Sequence, residues 1–470
     1  VSQGANAVAV GTDAGSSNQL ANAVAIGVNA GSTFQSTNAI AIGFLAGNIS
    51  QGETTVAVGA QAGRANQFVN AVAVGNTAGW SSQSTAAVAI GLNTGFQSQG
   101  QHAVAVGAYA GQTSQGQNAV AIGVTAGNAS QGEAAVAIGR FAGSNTQGPS
   151  GVALGNLAGS SSQGGQAVAV GVQAGQMSQG SSAVAIGNNA GYNGQLANAV
   201  AIGLYTGSTF QSTSAVAIGD QAGRSSQGQR SVAIGLGAGY VGQGASAVAI
   251  GDNAGQSNQN TSAVAIGYQS GYNNQGANAV AIGYAAGYNG QGARSICISA
   301  IAGGLDNQVA DTCVIKPIRN ASKPFVLNYD STSGEITYIT SSRNTKNTIE
   351  PLVTDTSSVY QLTPKTFIYN TDPQSGTHVG YIAEEAHEAD PVFATYETLD
   401  GPPVAISYDT IQVYMLEEMK KLRAEVDALK AQLAPAAPSA PADAPADAPA
   451  DAPADAPADA PADPTDPASA

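Results

Sequence analysis

The sequence predicts a mostly β protein: a β-solenoid (β-roll) of about nineteen sixteen-residue coils, then a small α/β domain, a helix and a tail. Three observations predict it. Ala-Val-Ala-Ile-Gly or a close variant starts at Ala7, Ala23 and every sixteenth residue to Ala279, without insertion or deletion, and the degraded Ser295-Ile296-Cys297-Ile298-Ser299 closes the series. Sixteen residues cannot hold two helices and a turn, but they hold two short strands and two tight turns. Glycine recurs at two fixed places in the unit, Gly11, Gly27 and Gly43 at one and Gly15, Gly31 and Gly47 at the other. Glycine takes positive φ without cost, so these are the expected corners of each coil. At ~4.8 Å per coil the stack is on the order of 90 Å long.

Within the unit, the Ala-Val-Ala-Ile segment is the first strand, apolar on both faces. Val8 and Val10 point one way, Ala7 and Ala9 the other. The expected arrangement has Val and Ile filling each coil while the Ala face packs closely on a neighbouring chain. A single-chain solenoid with a quiet Ala surface is the other reading.

Glutamine recurs once per unit: Gln3, Gln19, Gln35, Gln51, Gln131 and so on to Gln291. Neighbouring positions drift among Ser, Asn, Thr and Gln, but this one does not. Stacked identical amides bond along a stack, so Gln19, Gln35 and Gln131 are read as members of a buried ladder holding register; a repetitive ligand site is the alternative. Aromatic residues follow the corner glycines at Trp80, Phe96, Tyr192, Tyr240, Tyr272 and Tyr288. They can cap corners or stack on sugars, and no carboxylate cluster of obvious geometry accompanies them.

Asp13, Glu53, Glu133, Asp220 and Asp252 balance Arg64, Arg140, Arg224, Arg230 and Arg294, so the formal net charge of -15 arises after residue 300. No basic patch is present, which argues against nucleic acid as a partner. No apolar run approaches the ~20 residues of a membrane span. The chain opens within a repeat, without Met or a secretory leader, and reads as a mature or truncated product. Cys297 and Cys313 either pair or stay free, and His102, His378 and His387 show no ligand spacing, so no metal and no cofactor is expected.

The period breaks after Ile301. A β-rich stretch from Cys313 to Ile339, with a turn at Tyr329 to Gly334, reads as a hairpin connector. Met415, Met419, Leu422, Val426, Leu429 and Leu433 then alternate steps of four and three, a short heptad seam that implies association of chains. Pro435 ends the helix. The segment from Ala434 to Ala470 holds seven Asp and no basic residue, and reads as an extended, self-repelling tail.

Chemistry concentrates at Ser341-Ser342-Arg343-Asn344-Thr345-Lys346. A lysine five residues after a serine can serve as the base for a serine nucleophile. After it come Asn347-Thr348-Ile349-Glu350-Pro351-Leu352, Leu362-Thr363-Pro364-Lys365-Thr366-Phe367-Ile368-Tyr369, Gly380-Tyr381-Ile382-Ala383-Glu384-Glu385 and Tyr408-Asp409-Thr410-Ile411. In order and spacing these motifs resemble the self-cleaving intramolecular chaperone domain at the C-terminus of phage endosialidase tailspikes and related fibres. The resemblance implies a trimeric folding aid that assembles the preceding shaft and cuts itself off before the serine, here at Thr340–Ser341, with Ser341 as nucleophile and Lys346 as base. Ser342 stands where that family usually has Asp, and Thr345 where Leu is common, which puts cleavage in question more than fold; a cap that never cuts is the other reading. The array, through Asn6-Ala7-Val8-Ala9-Val10-Gly11, resembles the β-roll heads of trimeric autotransporter adhesins, with a slightly longer period and no membrane-anchor barrel following.

The expected organisation is a β-roll over 1–303, a connector over 304–340, an intramolecular chaperone over 341–410, a coiled-coil helix over 411–433 and a disordered tail over 434–470. The expected function is a homotrimeric fibre or adhesin shaft of a virus, phage or cell surface, extracellular or on the virion, which meets a glycan or protein receptor. Its enzymology is at most a single-turnover Ser-Lys self-cleavage with no external substrate. The alternatives are a glycan-degrading tailspike, which needs paired carboxylates that the scattered acids do not suggest, and a single-chain surface-binding solenoid.

Overall fold

The computed structural model of the chain describes residues 3–301, 306–318, 327–330, 333–338, 341–370, 372–396 and 400–433. Thr340 and the expected tail over 434–470 lie outside the described residues. Two compact units emerge, 1–320 and 321–470.

The first unit is a β-solenoid. Each coil carries two three-residue strands, for example Val24–Ile26 and Thr33–Gln35. Up to Ile296–Ser299, strands of successive coils pair in parallel with a step of sixteen. Val24 faces Ile40, Ala25 faces Ala41 and Gln35 faces Gln51. The repeat therefore stacks like on like. Among the described residues the first strands form a sheet of twenty and the second strands a sheet of fifteen. Toward the end the second sheet thins to single bridges, such as Ser257 with Asn273. The first sheet runs on to Cys313–Lys316, which pairs in parallel with Ile296–Ser299. The stack thus passes the boundary expected at 303, through one linking segment a residue longer than the repeat.

The corners explain the glycines. Gly27 has φ 128°, and a Cβ there would lie 2.6 Å from the Gly43 carbonyl oxygen of the next coil. Other left-handed positions fall on asparagines such as Asn22 and Asn29, with φ of 58° and 56°. Asparagine tolerates this region better than most side chains.

The interior corrects the expected facing of the first strand. Ala121 is fully buried, whereas Ile122 beside it is 38 % exposed. The same holds along the stack: Ala25, Ala41 and Ala57 lie inside the coils, and Val and Ile point out. Space decides this. A Cβ added at Gly63 would already stand 3.1 Å from Ala57 Cβ across the coil. Branched side chains do not fit that gap, but methyl groups and one glutamine amide per coil do. The Ala face therefore cannot be a surface for a neighbouring chain.

In the second unit Leu327–Tyr329 and Ile336–Tyr338 form an antiparallel hairpin, closed by Gly334 N donating to Asp330 O at 2.8 Å. The two α-helices of the described residues follow: α1, Ala383–Ala389, and α2, Tyr408–Leu433. A small core of Ala386, Phe393, Ile411 and Tyr414 joins them, with Phe393 edge-on to Tyr414 at 5.1 Å between ring centres. Only the first turns of α2 are anchored in this way. Met415, Met419, Leu422, Val426, Leu429 and Leu433 are all exposed.

Candidate functional site

Lys346 stands five positions after Ser341, and a single 3-10 turn, Arg343–Thr345, closes the gap. Ser342 caps that turn. Its hydroxyl accepts from Asn344 N at 3.3 Å, and Thr345 Oγ1 donates back to Ser342 O at 2.8 Å. The turn brings Lys346 Nζ within 2.8 Å of Ser341 Oγ. Both groups are exposed to water. The capping role accounts for serine at 342: Ser and Asp are interchangeable helix caps because each offers a side-chain oxygen to the free N–H groups of the first turn. In the sequence, Ser342 and Thr345 stand out only as departures from the family's pattern. Their part in closing the turn becomes visible once the 3-10 geometry is known.

Residues 341–395 match a family model, described as chaperone of endosialidase. This segment is similar to the chaperone of endosialidase. No curated protein and no solved structure matches the chain. The matched residues begin at Ser341 itself, so the Ser341–Lys346 contact sits at the first turn of the matched segment. A hollow of about 620 Å3 opens beside it, lined among others by Asn344, Lys346, Asn347, Ile349 and Glu350. Thr340, the other half of the expected scissile bond, is outside the described residues.

Elsewhere in the second unit, the buried carboxylate of Glu418 on α2 accepts from Lys421 Nζ at 2.6 Å and from the buried Thr356 hydroxyl. These bonds, that from Lys421 foremost, hold the Glu418 carboxyl below the usual carboxylate range. Glu418 likewise raises the Lys421 ammonium. The pair ties α2 to the segment ahead of Ser357–Gln361, and it is structural rather than part of the Ser341 site.

In the array, Gln19 Nε2 donates to Val8 O at 2.9 Å, Ala23 O at 3.2 Å and Gln35 Oε1 at 3.1 Å. Gln35 and Gln131 repeat the pattern on their own coils. Each amide thus links both strands of its coil and reaches the next coil. The aromatic residues at the corners meet one another: Trp80 stacks on Phe96 and Tyr272 on Tyr288, each pair with ring centres 4.8 Å apart, and Arg64 lies over Trp80. Cys297 and Cys313 are both free. Cys297 points inward, where burial pushes its thiol up, and Cys313 is exposed on the adjoining strand. Among the described residues no three His, Cys, Asp or Glu side chains converge as metal ligands, and no helix is long and apolar enough to cross a membrane.

Proposed function

We propose that the chain is the shaft of a homotrimeric fibre or adhesin, exposed on a virion or cell surface, and that its chaperone domain assembles the trimer and then releases itself by cutting Thr340–Ser341. The observation that carries this reading is the 2.8 Å contact between Lys346 Nζ and Ser341 Oγ at the first residue of the domain. A chaperone domain at the C-terminal end of a uniform stack acts on the stack before it. Trimer formation has two further supports, the outward Val/Ile face of the coils and the exposed seam on α2.

The cut balances as a single intramolecular turnover. A neutral Lys346 amine accepts the Ser341 hydroxyl proton as Oγ attacks the Thr340 carbonyl carbon. The C–N bond breaks, and the Ser341 amine leaves with that proton. Water then hydrolyses the ester, leaving Thr340 as a carboxylate and restoring the hydroxyl. Assembly would hold the pair in a fixed geometry against the Thr340 carbonyl, so cutting follows it. The test is denaturing electrophoresis of the folded chain beside Ser341→Ala and Lys346→Ala. The reading expects two fragments from the parent and one intact band from each variant, and an intact parent would remove the cutting role.

A further inference from the structure

The coils near the start of the array carry an exposed feature that neither backbone preference nor burial accounts for. Phe34 lies in the strand Thr33–Gln35 with φ 55° and is 46 % exposed. The equivalent places one coil before and two coils after hold Asn18 and Asn66, also left-handed at 54° and 55°. A bulky side chain is unfavourable there, and an exposed one gains nothing from the interior. Two coils further on, Phe68 is 55 % exposed at a position where the adjoining coils hold Gly52 and Ser84.

The register turns these two rings into the walls of one site. Thr33, Ile49 and Ala65 are stacked partners, so Phe34, Ser50 and Asn66 form one column and Ser36, Gly52 and Phe68 another, two residues along. Phe34 and Phe68 therefore stand at diagonal corners of a three-coil patch. The coil between them offers only Ser50 and Gly52, and a hollow of about 240 Å3 remains. Among the described residues, the Ser36 and Ser50 hydroxyls and the Asn66 amide have no side-chain hydrogen bond within the chain. No charged residue lines the hollow.

We infer that this hollow binds a single pyranose ring of a neutral glycan. A ligand here must offer apolar faces to two aromatic walls and hydroxyl groups to three free polar side chains, with no charge to neutralise. A sugar ring has this character. A nucleobase shares the flat face but brings phosphates, for which the array has no basic patch. The inference deepens the surface-binding side of the proposed function and rests on it. The molecule carries its own control, since Ser-Thr-Phe-Gln-Ser-Thr recurs at 208–213 and leaves Phe210 63 % exposed, but Gly244 takes the place of Phe68. That second ring has no opposing wall.

The experiment is saturation-transfer NMR of the full chain with the methyl glycosides of glucose, galactose, mannose and N-acetylglucosamine. The variants Phe34→Asn and Phe68→Gly install residues their columns already hold, so the coils should fold, and circular dichroism checks that they do. At least one glycoside should take up saturation from the parent, bind roughly tenfold more weakly to both variants, and bind Phe210→Asn as it binds the parent. Silence from all four glycosides, or equal binding by parent and variants, overturns the site. Sedimentation measured alongside keeps this apart from the fibre reading. If Phe34→Asn instead changes the association state, the hollow is a contact between chains and the glycan site is wrong.

Discussion

Gln131 Nε2 donates to Gln147 Oε1 at 3.1 Å, while Gln131 Oε1 accepts from Gln115 Nε2 at the same distance. The same Nε2 also reaches Val120 O at 2.8 Å and Ala135 O at 3.3 Å. One buried amide thus closes its own coil and joins it to both neighbours. Gln131→Leu keeps the volume but leaves buried donors and acceptors without partners, and should cost about 1–3 kcal/mol. Thermal or denaturant unfolding checks this, and a variant that melts with the parent would show that the ladder adds nothing to stability.

The facing of the strand separates folding from association. Ile122 and Ile138 point outward on adjacent coils, whereas Ala121 and Ala137 fill the interior. Replacing both Ile residues with Glu should reduce a trimer to single chains and leave the β signal in circular dichroism intact. Ala121→Leu should instead destabilise the coil itself by about 1–3 kcal/mol, because the added atoms have no space. Sedimentation equilibrium and melting distinguish the two. A double Glu variant that still sediments as a trimer would place the interface elsewhere.

The second unit should be acid-sensitive through Glu418 on α2. Its carboxyl is held low in the folded state by Lys421 and Thr356, so the unfolded chain binds the proton more readily. The stabilisation is complete above the ordinary glutamate value of about 4.3 and is lost as pH falls through the lower folded value. Glu418→Gln should melt below the parent at neutral pH, and the difference should shrink under strong acid. A difference independent of pH would contradict the assignment.

The array was legible in the sequence because its period is fixed and its glycines mark the corners. Facing was not legible, since Val8 and Ala9 are both apolar and alternation alone does not say which side is inside. Coil width decides that, and it depends on how closely Gly63 approaches Ala57. The Ser341 and Lys346 spacing could be read directly, but the closing turn with Ser342 as its cap could not, because a 3-10 turn this short has no periodic signal. Phe34 and Phe68 show no relation in the sequence because they fall in different columns, thirty-four residues apart. Only the stacking register brings them to one patch.

The most direct measurement is the intact mass of the folded chain at neutral pH, beside Ser341→Ala. The parent should give two products, a shaft ending at Thr340 and a fragment whose first residue is Ser341, and Ser341→Ala a single full-length mass. The parent held unfolded in denaturant should also stay whole, since only the folded domain holds Lys346 against Ser341. A parent that keeps its full mass after folding, or that is cut equally with Ala at 341, would contradict the self-releasing chaperone.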